Sequence, residues 1–107
     1  MSDMPGINRN SRVVRIIESS LDRLESETTT TTSAADALLA LDELRRLERK
    51  WREQVAAGSS RRTDADFLTL KGWYRRWLLA SRRVLAREVD VALRDSIAEV
   101  ERSLNAE

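Results

Sequence analysis

The cationic and aromatic side chains of this chain are concentrated in one stretch. Thirteen of the 19 Lys/Arg residues and all five aromatic residues lie between Arg45 and Arg87, where only four Asp/Glu residues accompany them. This stretch carries a net charge of +9, while residues 1–44 and residues 88–107 each carry −4. A local basic field with aromatic neighbours suits contact with phosphates or with an acidic protein.

The candidate residues for binding a partner or a nucleic acid are the basic side chains of this stretch and one tryptophan. They are Arg45, Arg46, Arg49, Lys50, Arg52, Arg61, Arg62, Lys71, Trp73, Arg75, Arg76, Arg82, Arg83 and Arg87. Phosphate contacts need only positive charge along a surface, so such binding would depend on salt and little on base sequence. Trp51, Phe67, Tyr74 and Trp77 fit apolar stripes and are expected in the core, whereas Trp73 is expected to be exposed.

No residue pattern in the chain indicates catalysis. The chain has no His and no Cys, which excludes an imidazole base, a Cys or Ser–His nucleophile and the usual zinc sites. Its carboxylates are scattered, and there is no glycine-rich phosphate loop. We therefore expect neither an enzyme nor a site for a metal or an organic cofactor.

The composition is typical of a small helical domain. The 107 residues, with 3 Gly and 1 Pro and 35% charged residues, favour one all-α domain over residues 1–107, with residues 1–7 flexible. No apolar run approaches the roughly 18 residues that span a bilayer, and the first residues lack a signal-peptide pattern. We expect a cytoplasmic protein.

Hydrophobic periodicity predicts a three-helix antiparallel bundle, with helices over about 8–27, 34–57 and 64–105. In the first helix, Val13, Ile16, Ile17, Leu21 and Leu24 fall on one face. The Thr-rich residues 28–32 form a linker, and a Ser33/Asp36 pattern resembling a capping box begins the second helix.

The third predicted helix carries two apolar stripes on nearly opposite sides and extends beyond the bundle. One stripe is aromatic and faces the first two helices. The other stripe requires a second covering surface, which predicts a homo-oligomer, with a dimer favoured, through a coiled-coil contact of this helix. The candidate interface residues are Leu68, Leu79, Leu93, Ile97, Val100 and Leu104.

An alternative arrangement covers both stripes within one chain. A break near Ala80, Ser81 and Arg82 would fold residues 84–105 back as a fourth helix. The continuous helix is favoured because no Gly or Pro marks a break there. For Gly72, inside the predicted helix, we expect close helix packing.

Two functions remain open for this sequence. The first is a non-catalytic helical module for protein–protein interaction or assembly, self-associating through the third helix, with the arginines facing acidic segments of the same chain, another subunit or a partner. The alternative is a sequence-independent nucleic-acid binder, or a small helical subunit of a nucleoprotein complex, that uses the basic region 45–87.

Overall fold

The computed structural model describes residues 12–26, 33–58 and 64–106 of the chain. These residues form four α-helices: α1 over Arg12–Glu25, α2 over Ala34–Ala56, α3 over Asp64–Arg87 and α4 over Val91–Ala106. The all-α prediction is confirmed. The predicted long third helix is wrong, because residues 64–105 form two helices.

The break between α3 and α4 lies at residues 88–90 and needs neither Gly nor Pro. Asp90 caps α4, since its Oδ1 accepts a hydrogen bond from the Leu93 backbone N–H at 2.9 Å. Glu88 accepts a hydrogen bond from the Ala34 backbone N–H at 2.6 Å, which satisfies a donor in the first turn of α2. The alternative with a fourth helix was therefore right in kind, but residues 80–82 remain inside α3, with Ala80 and Ser81 buried.

The four helices alternate in direction. Contacts from α2 to α3 pair Ala37 with Trp77 and Glu48 with Tyr74, so these two helices run antiparallel. Within the described residues, α1 and α4 each pack against both α2 and α3 and do not contact each other. The helices α2 and α3 are thus a central pair, with α1 and α4 on either side of it.

All four helices contribute to one core. Trp51 of α2 and Trp77 of α3 lie at its centre, and Leu93, Ile97 and Val100 of α4 join it. The face of α1 differs slightly from the prediction. Its buried residues are Val14, Ile17, Leu21 and Leu24, which follow a strict three-and-four spacing, whereas Val13 and Ile16 remain partly exposed.

The predicted start of α2 is confirmed in detail. The Ser33 hydroxyl accepts a hydrogen bond from the Asp36 N–H at 3.4 Å, and the Asp36 carboxylate accepts one from the Ser33 N–H at 2.9 Å. These reciprocal bonds form a capping box. Gly58, at a φ of +79°, follows the end of α2. The predicted flexible residues 1–7, the start of the first helix and the Thr-rich linker lie outside the described residues.

Candidate interaction surface

Ion pairs join arginines of the central helices to carboxylates of the flanking helices. Arg45 of α2 pairs with Glu99 of α4, and Arg82 of α3 pairs with Glu101 of α4. On the other side, Arg76 of α3 lies 2.8 Å from Asp22 and 2.7 Å from Glu25 of α1. Part of the positive charge of residues 45–87 is therefore paired with carboxylates of the same chain.

The contact of Arg76 with Glu25 is the most completely bonded of these pairs. The Arg76 Nε and Nη2 atoms donate to the two carboxylate oxygens of Glu25 at 3.0 and 2.7 Å. These hydrogen bonds, with a Coulombic contribution from Arg83, hold the pKa of Glu25 below its ordinary value despite partial burial. The same bonds raise the pKa of Arg76. Arg76 thus connects α3 to α1 and is not available to a partner in this arrangement.

Two further arginines pair along α2 itself. Arg46 lies 3.2 Å from Asp42, and Arg52 lies 2.7 Å from Glu48, each at the i,i+4 spacing. Glu48 also accepts a hydrogen bond from the Tyr74 hydroxyl at 2.6 Å. Burial and the neighbouring Glu48 carboxylate raise the pKa of the Tyr74 phenol. Its proton therefore stays on the phenol and in the bond to Glu48.

A smaller set of basic side chains remains open to a partner. Arg49 and Lys50 on α2 and Arg75 on α3 are exposed, and none of them makes an ion pair in the part of the chain that the structure describes. Because α2 and α3 pack through their buried faces, their exposed faces point away from each other.

The other candidate residues have different surroundings. Lys71 lies over the Phe67 ring, 5.3 Å from its centroid. Arg83 is exposed beside Glu25, and Arg87 lies in the last turn of α3. Arg61 and Arg62 are outside the described residues.

The tryptophans lie in the core. Trp51 and Trp77 are buried, as expected, and the Trp77 Nε1 donates a hydrogen bond to the Ala37 carbonyl at 2.7 Å. Trp73, expected at the surface, is only 5% exposed. That expectation was wrong, because Trp73 belongs to the same buried cluster as Trp51 and Trp77. No tryptophan in the described residues offers a face on which a nucleic-acid base could stack.

The six predicted interface residues fall into two groups, one packed in the core of the chain and one exposed. Leu93, Ile97 and Val100 are buried in the core of their own chain, and Leu104 packs against the same core. They were assigned to an interface because a continuous helix would leave them uncovered, whereas the turn at residues 88–90 lets α4 bury them. Leu68 and Leu79 remain 62% and 59% exposed.

The part of the second apolar stripe that lies on α3 remains uncovered. We call it the α3 outer face and define it by Leu68, Gly72, Arg75, Leu79 and Ala86. Leu68 and Leu79 are three helical turns apart, so they lie about 16 Å from each other along one side of the helix. No Asp or Glu occurs between residues 67 and 87, where six basic residues occur. The α3 outer face therefore consists mostly of apolar residues, and basic side chains border it.

Gly72 lies in the middle of this face without a packing contact that explains it. A Cβ atom added at Gly72 would meet no other atom within 4 Å, outside the nearby backbone of its own helix. The expectation of close helix packing at this position was wrong within the chain, because the glycine faces outward. A helix-interior glycine costs about 1 kcal/mol relative to alanine, so this position reduces the stability of α3.

Neither a metal-binding cluster of side chains nor a membrane-spanning helix occurs in the described part of the chain. Within it, no group of three or more acidic side chains lies close enough to hold a metal ion. Of its helices, none is long and apolar enough to cross a membrane. The described geometry thus directs attention to the exposed surfaces of α2 and α3.

Comparisons of the chain with protein-family models, with curated proteins and with solved structures found no match.

Proposed function

We propose that this chain is a non-catalytic, cytoplasmic protein–protein interaction module that binds an acidic amphipathic helix of a partner protein on the α3 outer face. One observation carries the proposal. The α3 outer face presents Leu68 and Leu79 to solvent, beside Arg75, which makes no ion pair with a described residue, and residues 67–87 of α3 include no acidic residue. Amphipathic helices commonly dock through apolar residues on one side, with charges at the border setting orientation and specificity.

The charge of the surface favours an acidic partner over a second copy of the chain. Two copies pairing through their α3 outer faces would place Arg75 of each against a face that has basic but no acidic residues between residues 67 and 80. Like charges placed together across an interface cost several kcal/mol, in general terms, and suppress that pairing. The fold-back of α4 also removes the need for a partner to cover Leu93, Ile97 and Val100. A glutamate-rich helix has complementary charge and meets no such repulsion.

A non-catalytic role agrees with the origin of the shifted pKa values. The shift at Glu25 and that at Arg76 result from their mutual ion pair. The shift at Tyr74 follows from burial and its hydrogen bond to Glu48. Each shift has a structural cause, so none of them indicates a group tuned for proton transfer.

A direct test measures binding of a designed acidic helix. The probe is a fluorescein-labelled amphipathic peptide of about 20 residues, long enough to pass both exposed leucines, with leucine at every third or fourth position and glutamate on the flanking positions. A twin peptide carries lysine in place of each glutamate. By fluorescence anisotropy at low salt, the acidic peptide should bind with a micromolar Kd and the lysine twin at least about tenfold more weakly.

Two charge-reversal variants locate the surface. Arg75→Glu changes the α3 outer face, whereas Arg49→Glu makes the same change on the exposed face of α2, where Arg49 also has no ion pair within the described ranges. We expect Arg75→Glu to weaken binding about tenfold and Arg49→Glu less than about twofold. No binding of the acidic peptide, or equal weakening by both variants, contradicts the proposal.

Sequence-independent nucleic-acid binding is the second candidate function. It is favoured by Arg49, Lys50 and Arg75, which have no acidic partner in the part of the chain that the structure describes. It is the weaker of the two, because these residues lie on exposed faces that point away from each other and the tryptophans are buried. Binding of a short single-stranded DNA that falls steeply with salt, and falls equally in Arg49→Glu and Arg75→Glu, would favour it over the helix-binding surface.

A further inference from the structure

An open cleft lies between α2, α3 and α4, on a side of α3 that the outer face does not include. It has a volume of about 240 Å³. Leu70, Val100 and Leu104 form the apolar part of its lining, and Lys71 and Ser103 also line it. Three helices thus contribute to one concave surface with apolar and polar parts.

The size of the cleft limits its occupant to one apolar group. A cavity of about 150 Å³ lined by aliphatic and aromatic residues accepts benzene, and sites for drug-sized ligands begin near about 300 Å³. The volume of this cleft falls between these values. One phenyl or branched aliphatic group fits it, with room left for a small polar group.

The charges of the lining leave one cation without an acidic partner. Arg45 pairs with Glu99, and Arg52 pairs with Glu48. The ammonium group of Lys71 contacts the Phe67 ring and makes no ion pair with any described residue. The cleft therefore has a net charge of +1 from these five groups, which suits a ligand with one negative charge.

The hydrogen-bonding groups of the cleft also suit a negatively charged ligand. The Tyr74 hydroxyl donates its proton to Glu48, so it has no donor left for a ligand. Lys71 and Ser103 are the donor residues of the lining whose side chains have neither an ion pair nor a hydrogen bond to a described residue. Both can donate to a carboxylate, and the bond from the ammonium is charge-assisted.

We propose that this cleft binds a monocarboxylate that carries one apolar group. The apolar group contacts Leu70, Val100 and Leu104, and the carboxylate lies at Lys71 and Ser103. This chemistry is shared by a free small acid and by the C-terminal residue of a peptide. The site is separate from the α3 outer face, so it does not depend on the proposed helix binding.

The experiment is an NMR titration of the ¹⁵N-labelled full chain with two acids and their neutral counterparts. The free-acid arm compares 4-phenylbutyrate with 4-phenylbutanol. The peptide arm compares acetyl-Gly-Gly-Phe, with a free C-terminus, with its C-terminal amide. We expect amide shifts clustered at residues 67–74 and 100–104, and about tenfold tighter binding of an acid than of its neutral counterpart. Tight binding in only one arm shows whether the carboxylate comes from a free acid or from a peptide C-terminus. Tight binding in both arms supports recognition of an apolar monocarboxylate of either source.

Two variants test the role assigned to the lysine. Lys71→Met keeps an unbranched apolar stem and removes the charge, so it should reduce binding of the acid to the level of its neutral counterpart. Arg94→Met removes a charge on the exposed side of α4, outside the cleft, and should leave the affinity unchanged. Absence of shifts at the cleft, equal binding of acids and neutral counterparts, or an unchanged affinity in Lys71→Met would each overturn the proposal. The comparison of ligands needs no variant, so a folding defect in Lys71→Met leaves that test intact.

Discussion

Two tryptophans of the same core differ in what their indole nitrogens contact. Trp77 is fully buried, and its Nε1 donates to the Ala37 carbonyl at 2.7 Å. Trp51 is also buried, but its Nε1 has no hydrogen-bond partner among the described residues. A buried unsatisfied donor costs about 1–3 kcal/mol, while a satisfied one contributes about 1 kcal/mol net. The two side chains therefore have similar packing and opposite polar contributions to stability.

Replacing each tryptophan with phenylalanine should separate these contributions. Both changes remove part of a buried ring, but only Trp77→Phe also removes a hydrogen bond. We expect Trp77→Phe to lower the free energy of unfolding by about 2 kcal/mol more than Trp51→Phe does. Urea denaturation followed by far-UV circular dichroism measures both values. Equal losses would mean that the indole N–H of Trp77 contributes nothing to stability.

At the scale of helices, the turn at residues 88–90 decides the architecture. From residue 73 onward the chain contains no Gly and no Pro, so the usual signals for ending a helix are missing. Asp90 supplies a local signal, because its side chain bonds to the Leu93 N–H. Glu88 supplies a tertiary one, because its carboxylate bonds to the first turn of α2. A carboxylate at that position also interacts favourably with the positive end of the α2 dipole.

The contribution of the cap can be measured with a matched pair of variants. Asp90→Ala removes the acceptor for the Leu93 N–H and should destabilise the chain by about 1 kcal/mol. Asp95→Ala changes an exposed acid inside α4 that lies 3.7 Å from Arg94, and it should cost less than about 0.5 kcal/mol. Thermal or urea unfolding checks both. If the two variants are equally stable, the cap does not hold the start of α4.

At the scale of the whole molecule, the flanking helices bring carboxylates to arginines of the central pair. The α4 helix turns back, so its apolar side enters the core and its acids Glu99 and Glu101 reach Arg45 and Arg82. The α1 helix brings its acids to Arg76. Such ion pairs are partly exposed, and each contributes at most about 1 kcal/mol, so they orient the helices more than they stabilise them. The apolar residues of α4 provide the larger part of its attachment.

The fold-back makes a distinct prediction for a double substitution in α4. Leu93→Asp with Ile97→Asp buries two charges in the core and should unfold the chain, with loss of helical circular dichroism and of a cooperative transition. The matched double variant, Leu68→Asp with Leu79→Asp, changes exposed residues of α3 and should keep its helix content. Static light scattering on the same samples reports the mass. A folded α4 variant with half the mass of the native protein would instead indicate a dimer held by that stripe.

The sequence by itself determined the helical class, the start of α2 at its capping box and the buried positions of Trp51 and Trp77. It also contained both apolar stripes of residues 64–105. These features depend on local bonds and on the angular spacing of side chains about their own helix axis, which any reader of the sequence can compute. The angular spacing of side chains does not indicate which part of the protein covers an apolar stripe.

Only the tertiary structure decided that α4 buries its half of the second stripe in the core, that Trp73 is buried and which arginines are already paired. The break at Glu88 depends partly on a bond to Ala34, 54 positions away in the chain. The pairing of Arg76 with Glu25 spans a similar separation of 51 positions. Such contacts become visible only when the chain has folded, because their energies depend on distances between helices and not on spacing within one helix.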